Sequence, residues 1–152
     1  MSKTIFMIMV LSTQLSMAQE PEDLAKSVQK ETKAVNDASL KGHLEKNIDK
    51  ICAAYAADAI LLPPGGIEPI MGIEQIRSFY LKSFKQGSVL EVSTKDISFE
   101  LTAPGHANEI GSYFMIYQNT GSNDKVKIEG NMLIVWEQDE HGEWKIKWDM
   151  WH

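Results

Sequence analysis

The chain has 152 residues, with 43% hydrophobic and 24% charged side chains, which is the composition of one ordinary globular domain. A formal net charge of −6 repels phosphate backbones, so nucleic acid is not an expected partner. The single cysteine, Cys52, cannot close an intrachain disulfide and reads as a small buried hydrophobe.

Met1 to Ala18 has the pattern of a secretory signal peptide: an early Lys3, an apolar stretch from Ile5 to Leu11, and Ser16-Met17-Ala18 with small residues around the cut. The apolar run is far shorter than the ~20 residues a membrane span needs. The expectation is therefore an exported protein, secreted or periplasmic, whose mature chain is residues 19–152 and has no membrane anchor.

Pro21 to about Leu40 reads as an amphipathic helix, with a proline and acidic residues at its start. Gly42 is expected to break it, leaving Lys41 to Asn47 as a linker. Ile48, Ile51, Cys52 and Tyr55 then repeat at i, i+3, i+4 and i+7, which predicts a second helix ending near Asp58. Ala59 to Leu62 reads as a brief strand, stopped by Pro63-Pro64-Gly65-Gly66. Gly72 opens a third helix, in which Ile73, Ile76, Tyr80 and Phe84 share a face until Gly87.

Everything afterwards reads as sheet. Val89–Thr94, Asp96–Leu101, Ile110–Asn119, Lys125–Gln138 and Trp144–Trp151 are separated by short Pro-, Gly-, Asn- and Asp-rich turns, as in an antiparallel meander. Val126, Ile128, Gly130, Met132, Ile134 and Trp136 alternate onto one face, while Lys127, Glu129 and Asn131 take the other. Helices first and strands afterwards give an α+β domain, in which one curved antiparallel sheet wraps around three N-terminal helices.

The stretch YAADAILLPPGGIEPIMGIEQIRSFY, Tyr55 to Tyr80, and the closing WEQDEHGEWKIKWDMW, Trp136 to Trp151, resemble the SnoaL-like and ketosteroid-isomerase-like branch of the nuclear transport factor 2-like superfamily. The resemblance implies a cone of helices and curved sheet around an apolar cavity, commonly dimeric through the outer sheet face. It also implies that the aspartate base of the steroid isomerases falls on Pro63 and their oxyanion-stabilising acid on Ile134, neither of which can do that chemistry. Their catalytic tyrosine belongs on the first helix, yet no tyrosine precedes Tyr55. Tyr55 and Tyr80 match a supporting tyrosine network.

Tyr113, Met115 and Tyr117 alternate on one strand and, facing inward, would line a pocket for a small apolar or aromatic ligand together with Met132, Ile134 and Trp151. Phe114 and Ile116, on the opposite face, suit a subunit contact in a homodimer. Asp149 is the only acid of the last strand, and a carboxyl desolvated by tryptophans has the raised pKa of a general acid or base. Simple alternation turns Asp149 and Trp151 outward; the resemblance turns both toward the cavity, which requires a bulge. His43, His106, His141 and His152 fall in predicted linkers, turns or the terminus, and no metal or other cofactor is expected.

Three functions compete at this point. The first is an exported binding domain without the isomerase residues. The second is an isomerase, cyclase or dehydratase using Asp149, with Tyr55 or Tyr80 positioning the substrate. The third is a ligand-free assembly module, as in the kinase association domains of the same superfamily.

Overall fold

The computed structural model describes residues 21–152. The predicted signal peptide lies outside the described residues. Three helices precede the main sheet: α1 (Pro21–Glu45), α2 (Ile48–Cys52) and, after β1 (Tyr55–Leu62) and the two-residue β2 (Ile70–Met71), α3 (Ile73–Gln86). Four strands follow, β3 (Gly87–Ala103), β4 (His106–Asn119), β5 (Lys125–Gln138) and β6 (Trp144–Trp151). They form one six-stranded sheet in the order β2-β1-β6-β5-β4-β3.

The meander β3-β4-β5-β6 is antiparallel as expected, but β1 lies parallel to β6, so the sheet is not antiparallel throughout. A parallel neighbour requires a long crossover, and the whole of α3 and the β3–β5 meander supply it. The two strands expected over Val89–Leu101 are one long strand, β3. Register shifts near Leu90 and Ile97 let that strand bend without ending.

Two boundaries in the first third differ from the sequence reading. α1 runs through Gly42 to Glu45, and α2 ends at Cys52, so Tyr55 and Asp58 stand on a strand instead of a helix. Gly42 is not a helix breaker here. It is buried in the contact with α2, where a Cβ would lie 2.9 Å from Ile51 Cγ1 and 3.0 Å from the Ile51 backbone nitrogen. Glycine therefore lets the two helices touch. Gly42→Val is expected to cost about 2 kcal/mol, because the overlap with α2 outweighs the helix propensity regained; chemical denaturation would measure it.

The core sits between the helices and the concave face of the sheet. Ile51, Ala59, Leu61, Ile76 and Trp136 are fully enclosed, and Trp144 and Ile146 nearly so. Each such large side chain contributes about 1.5–3 kcal/mol by leaving water. On β5 the inward row is buried at Met132, Ile134 and Trp136 but exposed at Val126 and Ile128, where the sheet outruns its helices. The convex face carries a band of apolar residues, with Ile110, Leu133 and Met150 on one rung across three strands and Trp148 beside them; Ile110, Trp148 and Met150 are exposed.

Candidate functional site

The direction of Asp149 is decided by one extra residue. Trp136 pairs with Ile146 and Val135 pairs with Trp148, so Lys147 has no counterpart on β5 and forms a bulge. Trp144 and Ile146 point into the core, Trp148 points out, and the phase then reverses so that Asp149 and Trp151 face the concave side. Lys147 Nζ holds the bulge from outside, 2.6 Å from Asp58 on β1 and 3.2 Å from Glu137 on β5.

Inside the cone a cavity of about 230 Å³ opens between α1, α3 and the sheet. Asp149, Tyr55 and Tyr80 border it at one end. Tyr113, Met115 and Tyr117 line its β4 side, and Met132, Ile134 and Trp151 its floor. The nine side chains singled out in the sequence thus surround one hollow, although Tyr55 reaches it from a strand. Tyr117 is tied down, its hydroxyl donating to the Ser83 carbonyl at 3.1 Å.

Asp149 ends a chain of hydrogen bonds. The Tyr55 hydroxyl donates to Asp149 Oδ2 at 2.7 Å and lies 3.1 Å from the Tyr80 hydroxyl. Tyr55 has one proton, which is spent on the carboxylate, so Tyr80 donates to Tyr55. Burial disfavours charge on all three groups. The carboxyl of Asp149 is pushed up to about 6 by desolvation, with the Tyr55 bond pulling the other way. Both phenols are raised, first by burial and then by the neighbouring Asp149 charge, and stay protonated at neutral pH. Asp149 borders the cavity, and its Oδ1 makes no hydrogen bond among the described residues.

Two residues of chemical interest escaped the sequence reading. His43 lies in the last turns of α1, borders the cavity and packs edge-on against Tyr80, with ring centroids 4.8 Å apart. Burial drives its pKa down to about 4, so the imidazole is neutral. The signal was present in its spacing, because Thr32, Asn36, Ser39 and His43 follow one helical face, but ending the helix at Gly42 hid it. Glu109 is the second. It precedes the predicted start of its strand at Ile110, yet alternation back from Gly111 turns it inward, where it is only 3% exposed. Its Oε2 accepts a 2.9 Å bond from Trp136 Nε1, and burial above all pushes its pKa up to about 7.

No known family model matches the sequence, and no curated protein is a significant match. Solved structures do match. A ketosteroid isomerase-like protein from Erwinia carotovora atroseptica superposes with a TM-score of 0.71 at 16% identity, over 80% of this chain and 92% of that one. A hexachlorocyclohexane dehydrochlorinase gives 0.75 at 15% identity, over 86% and 88%. An NTF-2-like protein of Shewanella oneidensis MR-1 gives 0.64 at 13% identity, over 82% and 98%. At such identities the likeness speaks for architecture, and it agrees with the helices-then-curved-sheet order read from the sequence: the chain has the nuclear transport factor 2-like fold.

Proposed function

We propose that the protein is a small-molecule-binding domain whose cavity carries one proton-transfer group, Asp149, and that it acts as an acid–base catalyst of isomerase, cyclase or dehydratase type. The observation that carries this reading is the Asp149 carboxyl, held by Tyr55 at the wall of a hollow with its other oxygen unspent. A group titrating near 6 is ionised at neutral pH yet basic enough to take a proton from a carbon next to a carbonyl. The neutral His43 ring can donate a hydrogen bond to the oxygen on which charge then develops.

The steroid-isomerase pair is not part of this reading, since Pro63 and Ile134 hold no titratable group. Binding without turnover remains the competing reading on that ground. An isotope-exchange assay separates the two. The flat bicyclic ketone 2-tetralone, incubated in D₂O with the protein, is expected to exchange its protons next to the carbonyl faster than in buffer, with a rate that rises with pH through about 6 and then levels as Asp149 ionises. Binding of the ketone without added exchange would favour the non-catalytic reading.

Export through residues 1–18 and self-association belong to the proposal as well. The bare rung Ile110–Leu133–Met150, with Trp148 beside it, suits a second copy of the chain laid against the convex face. Light scattering is expected to give a dimer that Trp148→Glu converts to a monomer; a monomeric wild type would remove this part.

A further inference from the structure

The buried face of α1 is unusual in its chemistry. A helix packed on a sheet ordinarily presents an apolar stripe, but here the buried residues after Val28 are Thr32, Asn36, Ser39 and Gly42, with His43 and the half-buried Val35 and Leu40 beside them. Thr32 is satisfied locally, its hydroxyl donating to the Gln29 carbonyl at 3.1 Å. The next residues are not. Asn36, 7% exposed, uses only its Nδ2, 3.2 Å from Thr94 Oγ1, and its Oδ1 has no partner among the described residues. Ser39, 4% exposed, makes no side-chain hydrogen bond among them, and neither does the His43 ring, which only packs against Tyr80.

Polar atoms held away from water without partners are costly. Among the described residues, Trp144 Nε1 is the one buried side-chain nitrogen or oxygen that is both sealed off and unbonded. The unspent atoms of Asn36, Ser39 and His43 are therefore open to the cavity they border. Opposite them stands a surface of another kind, the side chains of Tyr113, Met115, Met132 and Trp151. The helix wall is a row of unspent polar atoms, whereas the sheet wall offers mainly broad apolar and aromatic faces, its polar atoms being the Tyr113 hydroxyl and the Trp151 indole N–H.

We propose that Asn36, Ser39 and His43 form a hydrogen-bonding rail that reads oxygen atoms along one edge of a flat, ring-containing ligand whose face lies on the sheet. At 1.5 Å of rise per residue, Asn36 and Ser39 are about 4.5 Å apart along the helix, Ser39 and His43 about 6 Å, and the rail is about 10 Å long. Ring oxygens on alternate carbons are spaced to meet neighbouring positions of it. An unsubstituted hydrocarbon or a fatty chain would leave the rail unpaired. The inference rests on the cavity being a binding site and adds the class of ligand, a planar molecule oxygenated at intervals along one side.

The test uses a matched pair of planar probes, naphthalene and 1,3-dihydroxynaphthalene, titrated into the purified protein and followed by NMR chemical shifts. The wild type is expected to bind the diol at least about tenfold more tightly than the hydrocarbon, as one or two added hydrogen bonds allow. In Ser39→Ala, and separately in Asn36→Ala, that ratio is expected to fall to about threefold or less. Ser39→Ala should also melt about 2 °C higher without ligand, because a helix position is improved and an unpaired hydroxyl removed. A ratio near one in the wild type, or one unchanged in both variants, would overturn the rail while leaving the cavity as a binding site. If neither probe binds any of the proteins, the cavity reading falls and the rail falls with it.

Discussion

Asp149→Asn is expected to slow proton exchange of a carbonyl probe by about 10²–10⁴-fold, the ordinary contribution of a positioned general base. The substitution is nearly isosteric, and the amide oxygen can still accept the Tyr55 hydroxyl, so the cavity keeps its shape while its base is lost. Binding of the probe should change little by comparison. The pH dependence sharpens the expectation: the wild-type rate follows ionisation of a carboxyl near 6, and the residual rate of the variant should lose that step. If Asp149→Asn exchanges as fast as the wild type, with the same pH profile, another group moves the proton.

Glu109→Gln is expected to stabilise the protein at alkaline pH and to do almost nothing in acid. Glu109 is the most completely enclosed carboxyl described, facing Trp136 on β5, Asp96 on β3, Asp149 on β6 and Lys33 on α1. Its pKa is raised from the usual 4.5 to about 7, chiefly by burial, so the folded state holds this proton more tightly than the unfolded chain does. Stability linked to such a group is full below about 4.5 and is lost as pH rises to 7. The loss approaches about 3 kcal/mol. Glutamine stays neutral and can still accept the Trp136 N–H, so the variant escapes it. Melting curves should therefore separate by roughly 10 °C at pH 8 and converge near pH 4.5. Asp149 adds a loss of the same sign between 3.8 and 6, whereas His43, with its pKa lowered to about 4, gains stability as pH rises; both are common to the two proteins. Curves that stay parallel from pH 4.5 to 8 would mean that Glu109 is not a buried ionisable group.

Much of the sheet was legible because its signals were local. β5 and β6 begin and end where alternation meets Asn-, Asp- and Gly-containing turns, and α3 runs between two glycines that bracket a helical repeat. The first third was harder. The spacing of Ile48, Ile51, Cys52 and Tyr55 fits a helix, yet the chain turns at Ala53 and Tyr55 enters the sheet, where Tyr55 pairs with Ile146 of β6. That pairing lies 91 positions away and leaves no mark on the local pattern. Gly42 carried a misleading message, since the same residue that breaks an isolated helix also lets two helices touch.

The site shows the same division. The inward row of β4 follows from alternation alone, whereas Asp149 turns inward only because Lys147 is inserted as a bulge. Counting by twos gives the wrong face, and the resemblance gives the right one. His43 and Glu109 were lost to boundaries drawn too tightly, at Gly42 and Ile110, and not to any weakness in the periodicity that places them. In each case a side chain of chemical interest sits one to three residues beyond an element end, where sequence reading is least secure.

The most direct measurement is an NMR titration of the Asp149 side-chain carboxyl carbon in ¹³C-labelled protein. Burial at the cavity wall, opposed by the Tyr55 hydrogen bond, predicts a midpoint about 6 in the wild type and a higher one in Tyr55→Phe. A midpoint close to the ordinary aspartate value of 3.8, indifferent to loss of the Tyr55 hydroxyl, would place the carboxyl in water and contradict the account.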